Sequence, residues 1–183
     1  MCQVEKLQAV FIDRDGTIGG TGHFIHPREF TPYSFTEEAL KLLKERDIKT
    51  FACTNQHRIS KGEARVEDFL DEFMSFGFDD AFICPHGSSE GCECRKPSPG
   101  LLRKAAEKHV LDLSKTAFIG DVGSTDMLAA HAVGAKKILV LTGWGEGSLT
   151  QYRKTWDDIE PDYIAENLLD AVNWLLQQEI HPI

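Results

Sequence analysis

Apolar runs and amphipathic stretches alternate along the chain. Short apolar runs at residues 8–13, 47–53, 80–84, 116–119 and 137–141, bounded by charged or turn-forming residues, read as strands, with 162–165 as a short sixth. Between them, apolar residues recur at helical spacing. Leu40 and Leu43, with Ala39 beside them, mark a helix over 36–46. Val66, Phe69, Leu70, Phe73 and Met74 mark another over 61–76, a stripe that reads as core. A third helix opens at Ser98-Pro99-Gly100, with Ser98 as N-cap and proline in the first turn. A fourth covers 124–133 and stops at Gly134; the last covers 167–178, with Leu168, Leu169, Val172, Leu175 and Leu176 inward. Residues 16–33, 84–94 and 143–158 carry no such period and read as loops. Strands alternating with helices predict an α/β fold, a doubly wound parallel sheet with helices on both faces.

At 183 residues the chain is expected to form one domain, 1–183, with a single sizeable core. Its net charge of −9 argues against nucleic acid or anionic membrane as partner, so an anionic substrate would need local cations or a metal. The first residues lack the basic and apolar regions of a signal peptide, and no apolar run reaches the ~20 residues of a membrane span. Five cysteines are an odd number, which suits thiols or metal ligands in a reducing compartment better than a disulfide framework. A cytoplasmic location follows, with the chain a monomer or weak homo-oligomer.

Against this frame, the polar residues that end the apolar runs gain weight. Residues 10–17 run Val-Phe-Ile-Asp-Arg-Asp-Gly-Thr, so Asp13 and Asp15, two apart, project to the same side at the carboxyl edge of a sheet. In open α/β sheets ligands bind at that edge. A strand followed by a polar turn is the plain alternative for this stretch alone. Thr54 and Asp121 end two further runs, however, and Lys96 stands just before a helix. Four separated segments would then bring carboxylates, a hydroxyl and an ammonium together. Oxygen ligands of this kind favour Mg²⁺. Mg²⁺ and Lys96 would neutralise a phosphate approaching an aspartate, and Thr54 would donate to a phosphoryl oxygen.

Asp-x-Asp-x-Thr at 13–17, Thr-Asn-Gln at 54–56, Arg-Lys-Pro at 95–97 and Gly-Asp-x-x-x-x-Asp at 120–126 resemble, in order and at strand ends, the four motifs of the haloacid dehalogenase-like (HAD-like) hydrolases. The resemblance covers about residues 8–141 and implies a Rossmann-like core. It makes Asp13 the nucleophile that forms an aspartyl-phosphate and Asp15 the general acid and then base. Mg²⁺ would be held by Asp13, the main-chain carbonyl of Asp15, and Asp121, with Asp126 one turn into the helix as support. Thr54 and Asn55 would join Lys96 at the phosphate. Aspartate at the second motif position resembles the phosphatases and phosphomutases of the superfamily, and without room for a cap domain hydrolysis is favoured.

Cys84-Pro85-His86 and Cys92-Glu93-Cys94 place three thiols and an imidazole within eleven residues, the donor set of a tetrahedral Zn²⁺ site over loop 84–95. Free thiols with a solvated histidine, or a redox pair, are the alternatives. Together with Arg95-Lys96-Pro97, the loop resembles that of the heptose bisphosphate phosphatases and of the histidinol-phosphate phosphatase domains, where zinc is structural and Arg95 would help recognise substrate. The expected substrate is a small phosphorylated metabolite, first a heptose-type sugar bisphosphate, then histidinol phosphate. A zinc-loop interaction protein without turnover is the rival of another class. His57-Arg58 stands where that family usually carries Ser-Gly, and loop 87–91 is shorter than usual, both where substrate would be read. Among the blander residues, His23 and His26 are expected to be exposed, His109, His131 and His181 to lie at the surface or at helix ends, Cys2 and Cys53 to be leftover thiols, and Trp144 to pack.

Overall fold

Ala9–Ile12, four apolar residues buried on every side, form β1 at the centre of the sheet. A strand covered on both faces has no polar alternation, which is why this stretch reads as a continuous apolar run. In this computed structural model, which describes residues 6–180, the other strands are β2 (Lys49–Asn55), β3 (Asp80–Cys84), β4 (Thr116–Gly120), β5 (Lys136–Val140) and β6 (Tyr163–Ala165). All pair in parallel, in the order β3-β2-β1-β4-β5-β6. The doubly wound sheet expected from the sequence is thus the observed one. Cys2 and His181 lie outside the described residues.

The period of two along β1 divides the core. Val10 and Ile12 face a layer that holds Leu40 and Leu43 of α1 (Thr36–Glu45), Phe69 and Phe73 of α2 (Val66–Phe76), and Leu168, Val172 and Leu175 of α6 (Leu168–Ile180). Ala9 and Phe11 face the other layer, with Leu101, Leu102 and Ala105 of α3 (Gly100–His109) and Ala129 and Ala130 of α4 (Leu128–Ala132). Helices therefore cover both faces, and the carboxyl ends of the strands form one open rim.

Several boundaries depart from the sequence pattern. The second helix starts at Val66, five residues late, because residues 58–63 are tied into turns that end at Gly62, whose φ is +72°. Arg65 caps it through its own N–H, which donates to Asp68 Oδ2 at 3.1 Å. Met74, expected in the core, is 59 % exposed, and the buried set of this helix is Phe69, Glu72 and Phe73. Ser98 makes no cap; its N–H donates to the Arg95 carbonyl at 2.9 Å, and Pro99 precedes the helix. The segment expected to be a helix from residue 124 begins with one wide, π-type turn over Gly123–Met127. Within the expected loop 143–158 lie α5 (Gly145–Leu149) and the buried Trp156. Among the described residues no helix is long and apolar enough to cross a membrane.

Candidate active site

Asp13 stands one residue beyond β1 and Asp121 one beyond β4, on either side of the point where the strand order reverses. That is where a doubly wound sheet opens a crevice at its carboxyl edge. Asp13 N–H donates to Ile119 O at 3.0 Å, which locks the two strand ends together. Lys96, 2 % exposed, reaches in from the segment before α3. Its ammonium donates to Asp13 Oδ1 at 2.9 Å, Asp126 Oδ1 at 2.6 Å and Cys53 O at 2.8 Å. Burial works against its charge, but Asp126 and Asp13 outweigh that and hold its proton more tightly than in a free lysine. Asn55 fixes this lysine from behind: its side-chain oxygen accepts from Lys96 N–H and its amide donates to Lys96 O, both at 3.0 Å.

Asp126 lies in the π-type turn and is fully buried, with Val122 N–H donating to Oδ2 at 3.1 Å. Asp121 accepts Trp144 N–H on Oδ2 at 2.8 Å and the Thr17 hydroxyl on Oδ1 at 3.4 Å. One oxygen from each of Asp13, Asp121 and Asp126 falls within 4.8 Å of the others. Burial, then the neighbouring carboxylates Asp13 and Asp126, push the Asp121 carboxyl well above the usual carboxylate range. Burial likewise lifts Asp126 to about 6, against the pull of Lys96. Three carboxylates share one ammonium, which leaves two negative charges uncompensated in a donor set made of oxygen. A hard divalent cation fits that deficit. Gly16 and Gly143, both at positive φ, close over Asp121 so tightly that a Cβ on either would run into its carboxylate.

Asp15 is held apart from this cluster. Arg14 Nη1 donates to its Oδ1 and Gln56 Nε2 to its Oδ2, both at 2.6 Å. Burial is the main cause that lifts its carboxyl to about 6, with Arg14 opposing and Asp13 adding to the shift. Its carboxylate is therefore engaged, which leaves the main-chain carbonyl as the ligand expected of it. Asp13, Asp15, Thr54, Arg95 and Lys96 together line a cavity of about 230 Å³, with Phe24, His57 and Trp144 among its outer walls. Thr54 Oγ1 accepts from Gln56 Nε2 at 3.0 Å. A neighbouring groove of about 280 Å³ shares Val122 and Trp144 but holds none of the carboxylates.

Beyond β3 the sulfur-rich loop folds on itself. Cys84 Sγ lies 3.6 Å from Cys92 Sγ, 3.2 Å from Cys94 Sγ and 3.7 Å from His86 Nδ1, and that nitrogen is 3.2 Å from Cys94 Sγ. Tetrahedral thiolate–imidazole zinc sites have ligand–ligand separations near these, given Zn–S of about 2.3 Å and Zn–N of about 2.0 Å. Arg95 Nη1 donates to His86 O at 3.2 Å, so the loop and the cavity wall are continuous.

Every residue singled out in the four motifs thus reaches one rim. Sequence reasoning missed three supports: Gln56 on Asp15, the Trp144 main chain on Asp121, and Glu72 on Arg14. Glu72 carried a signal, since it sits between Phe69 and Phe73 on the buried side of α2. Trp144, expected simply to pack, stands against His23 at 5.0 Å between ring centroids and gives its indole N–H to Gly22 O at 3.2 Å. His23 is exposed as expected, His26 only half so, and His109 stacks on Phe51 with a ring distance of 4.5 Å.

The family described as HAD-hydrolase-like matches residues 93–171. D-glycero-β-D-manno-heptose-1,7-bisphosphate 7-phosphatase of Pseudomonas putida is 34 % identical over 155 residues, spanning 78 % of this chain and 87 % of that protein. The D-glycero-α-D-manno-heptose counterpart of Campylobacter jejuni is 32 % identical over 166 residues, 84 % of this chain and 94 % of its own. The crystal structure of D,D-heptose 1,7-bisphosphate phosphatase from B. bronchiseptica with magnesium and phosphate superposes with a TM-score of 0.78 at 29 % identity, covering 93 % of this chain and 99 % of that one. The chain belongs to the HAD-like hydrolases, on the branch of phosphatases that act as phosphoric monoester hydrolases. Within that branch, heptose bisphosphate phosphatases are its close relatives.

Proposed function

We propose that this Mg²⁺-dependent phosphatase hydrolyses a heptose-type sugar bisphosphate through an aspartyl-phosphate on Asp13. The observation that carries the reading is the buried Lys96 bridge between Asp13 and Asp126, beside an Asp121 whose charge is uncompensated. Asp13, the main-chain carbonyl of Asp15, and Asp121 would hold the metal. When bound, Mg²⁺ supplies the charge neutralisation that lets a phosphate dianion approach a carboxylate.

The chain's own groups do the rest. Thr54 donates to a phosphoryl oxygen and the Lys96 charge draws the phosphate in, while the lysine bond to Asp13 Oδ1 fixes which oxygen is free to attack. As that oxygen bonds to phosphorus, the bond to the leaving oxygen breaks, and its electron pair takes the proton of the Asp15 carboxyl. Asp15, now a carboxylate, removes a proton from water as the water oxygen attacks phosphorus. The bond to Asp13 then breaks and inorganic phosphate leaves. Asn55 serves by holding the Lys96 main chain, and Arg95 faces the part of the substrate that is not transferred.

Cys84, His86, Cys92 and Cys94 are proposed to hold a structural Zn²⁺, closing the loop that delivers Arg95 and Lys96. The reading extends to a cytoplasmic location, where a reducing compartment keeps the three thiols available to metal.

Phosphate release should be measured with Mg²⁺ and with EDTA on both heptose bisphosphate anomers, other sugar phosphates and histidinol phosphate. Preference for one heptose bisphosphate anomer, lost in EDTA, is the expected result. Selective turnover of histidinol phosphate would replace the substrate and keep the chemistry. Metal-independent release would sink the mechanism.

A further inference from the structure

Arg14 has no exposed surface, and its bonds run to three separate segments. Nε and Nη2 grip the Glu72 carboxylate of α2 at 2.6 and 2.8 Å. Nη2 also donates to Ile25 O at 2.9 Å, and Nη1 to Asp15 Oδ1 at 2.6 Å. Phe30 and Phe69 stack on the guanidinium, their ring centres 3.9 and 4.9 Å from Cζ. An arginine this fully desolvated needs Glu72 to remain in the fold. It has no such need of Asp15, to which it gives its shortest remaining donor.

The division of the fork is what matters. A guanidinium beside a lone carboxylate takes both oxygens in a bidentate pair. Here Glu72 occupies the Nε/Nη2 face and Ile25 O takes the other N–H of Nη2, so only Nη1 reaches Asp15, and it engages only Oδ1. Asp15 and Gln56 line the cavity and Arg14 does not, so Oδ1 is held by a group outside the cavity wall and Oδ2 by one within it. Oδ2 accepts from Gln56 through one lone pair and keeps the other.

We propose that Arg14 and Glu72 are a positioning pair for the proton donor: Glu72 takes up the Nε/Nη2 side of the arginine fork, and Nη1 fixes Asp15 so that Oδ2 presents its proton to the leaving oxygen. The inference rests on Asp15 as the general acid. In the step concerned, Asp13 bonds to phosphorus, the P–O bond to the leaving group breaks, and the proton on Oδ2 moves to the departing oxygen. A leaving group that is stable as an anion does not need that proton. Damage to the pair should therefore fall on alkyl esters and spare aryl esters, whereas a general loosening of the fold would slow both alike.

The test measures release of the leaving group in a single turnover, with Mg²⁺, from a sugar phosphate and from 4-nitrophenyl phosphate. Glu72→Gln and Arg14→Lys should each slow the sugar ester about 10- to 100-fold more than the aryl ester, a part of the 10²–10⁴ that a general acid contributes. Because breaking a buried pair from one side threatens folding, Arg14→Met/Glu72→Met supplies an apolar replacement of similar length that lacks the N–H. It should fold, by thermal melting, and show the same bias. Equal slowing of both esters in a folded double variant would overturn the pairing as a positioning device. Asp15→Asn separates the two layers of the argument. Bias there without bias in the pair leaves the general acid standing and refutes the inference, and no bias in Asp15→Asn refutes the assignment of Asp15 itself.

Discussion

Lys96 and Asp126 meet at 2.6 Å with 2 % and 1 % of their side chains exposed. Ion pairs this dry are costly to break from one side, because the remaining charge has neither partner nor water. Lys96→Met leaves Asp126 and Asp13 facing each other without an ammonium. The expected loss is about 3–5 kcal/mol, which for a domain of this size lowers Tm by roughly 6–20 °C. Urea denaturation with unchanged m-value checks it, and a loss under ~1 kcal/mol would show that the pair is solvated in solution.

Asp13→Asn should reduce turnover below detection while the far-ultraviolet circular dichroism is retained. It also removes one of three crowded carboxylates. In EDTA the variant should therefore melt no lower than the parent, and added Mg²⁺ should stabilise it less than the parent. A parent indifferent to Mg²⁺ in the melt would argue against a cation at this cluster.

Gly143 has φ of +58° and packs on Gly16 and the Asp121 carboxylate. Gly143→Ala combines a strained backbone with a collision at the proposed metal ligand. The Mg²⁺ concentration for half-maximal activity should rise about 10- to 100-fold, the usual effect of disturbing groups that orient a ligand. An unchanged metal dependence would mean that the turn relaxes without moving Asp121.

Cys92→Ser should lower zinc, by elemental analysis, from about one equivalent to near zero, and should loosen loop 84–95 to proteolysis. Equal zinc in variant and parent would remove Cys92 from the ligand set.

The doubly wound parallel sheet was legible because β1 and β4 are wholly buried, and Ala9–Ile12 and residues 117–119 are unbroken apolar runs before Asp13 and Gly120-Asp121. Asp13 and Asp121 were legible for the same reason: each ends such a run. Helix α2 was read only in part. Its stripe of apolar residues fits two overlapping faces, and periodicity cannot weigh an apolar Met74 against a charged Glu72 when an internal arginine chooses the latter. Phe73→Ala should cost about 3–5 kcal/mol and Met74→Lys less than ~0.5 kcal/mol by denaturant melts, the contrast that distinguishes the two faces. Trp144 was opaque on other grounds. Its contribution to Asp121 comes from a main-chain N–H, which no side-chain pattern encodes.

The strand order β3-β2-β1-β4-β5-β6 also has a consequence for how the enzyme is born. Synthesis delivers Asp13, Asp15, Thr54 and Glu72 in the first half of the chain, but Lys96 and Asp121 only later. The emerging half-sheet ends on β1, an all-apolar strand whose free edge waits for β4. During that interval the nascent chain holds Asp13 without Lys96 and Asp121, and an edge of the kind that invites stray pairing. One docking event, β4 onto β1, both covers the edge and brings Asp121 to Asp13, so closing the sheet and assembling the carboxylate cluster are a single step.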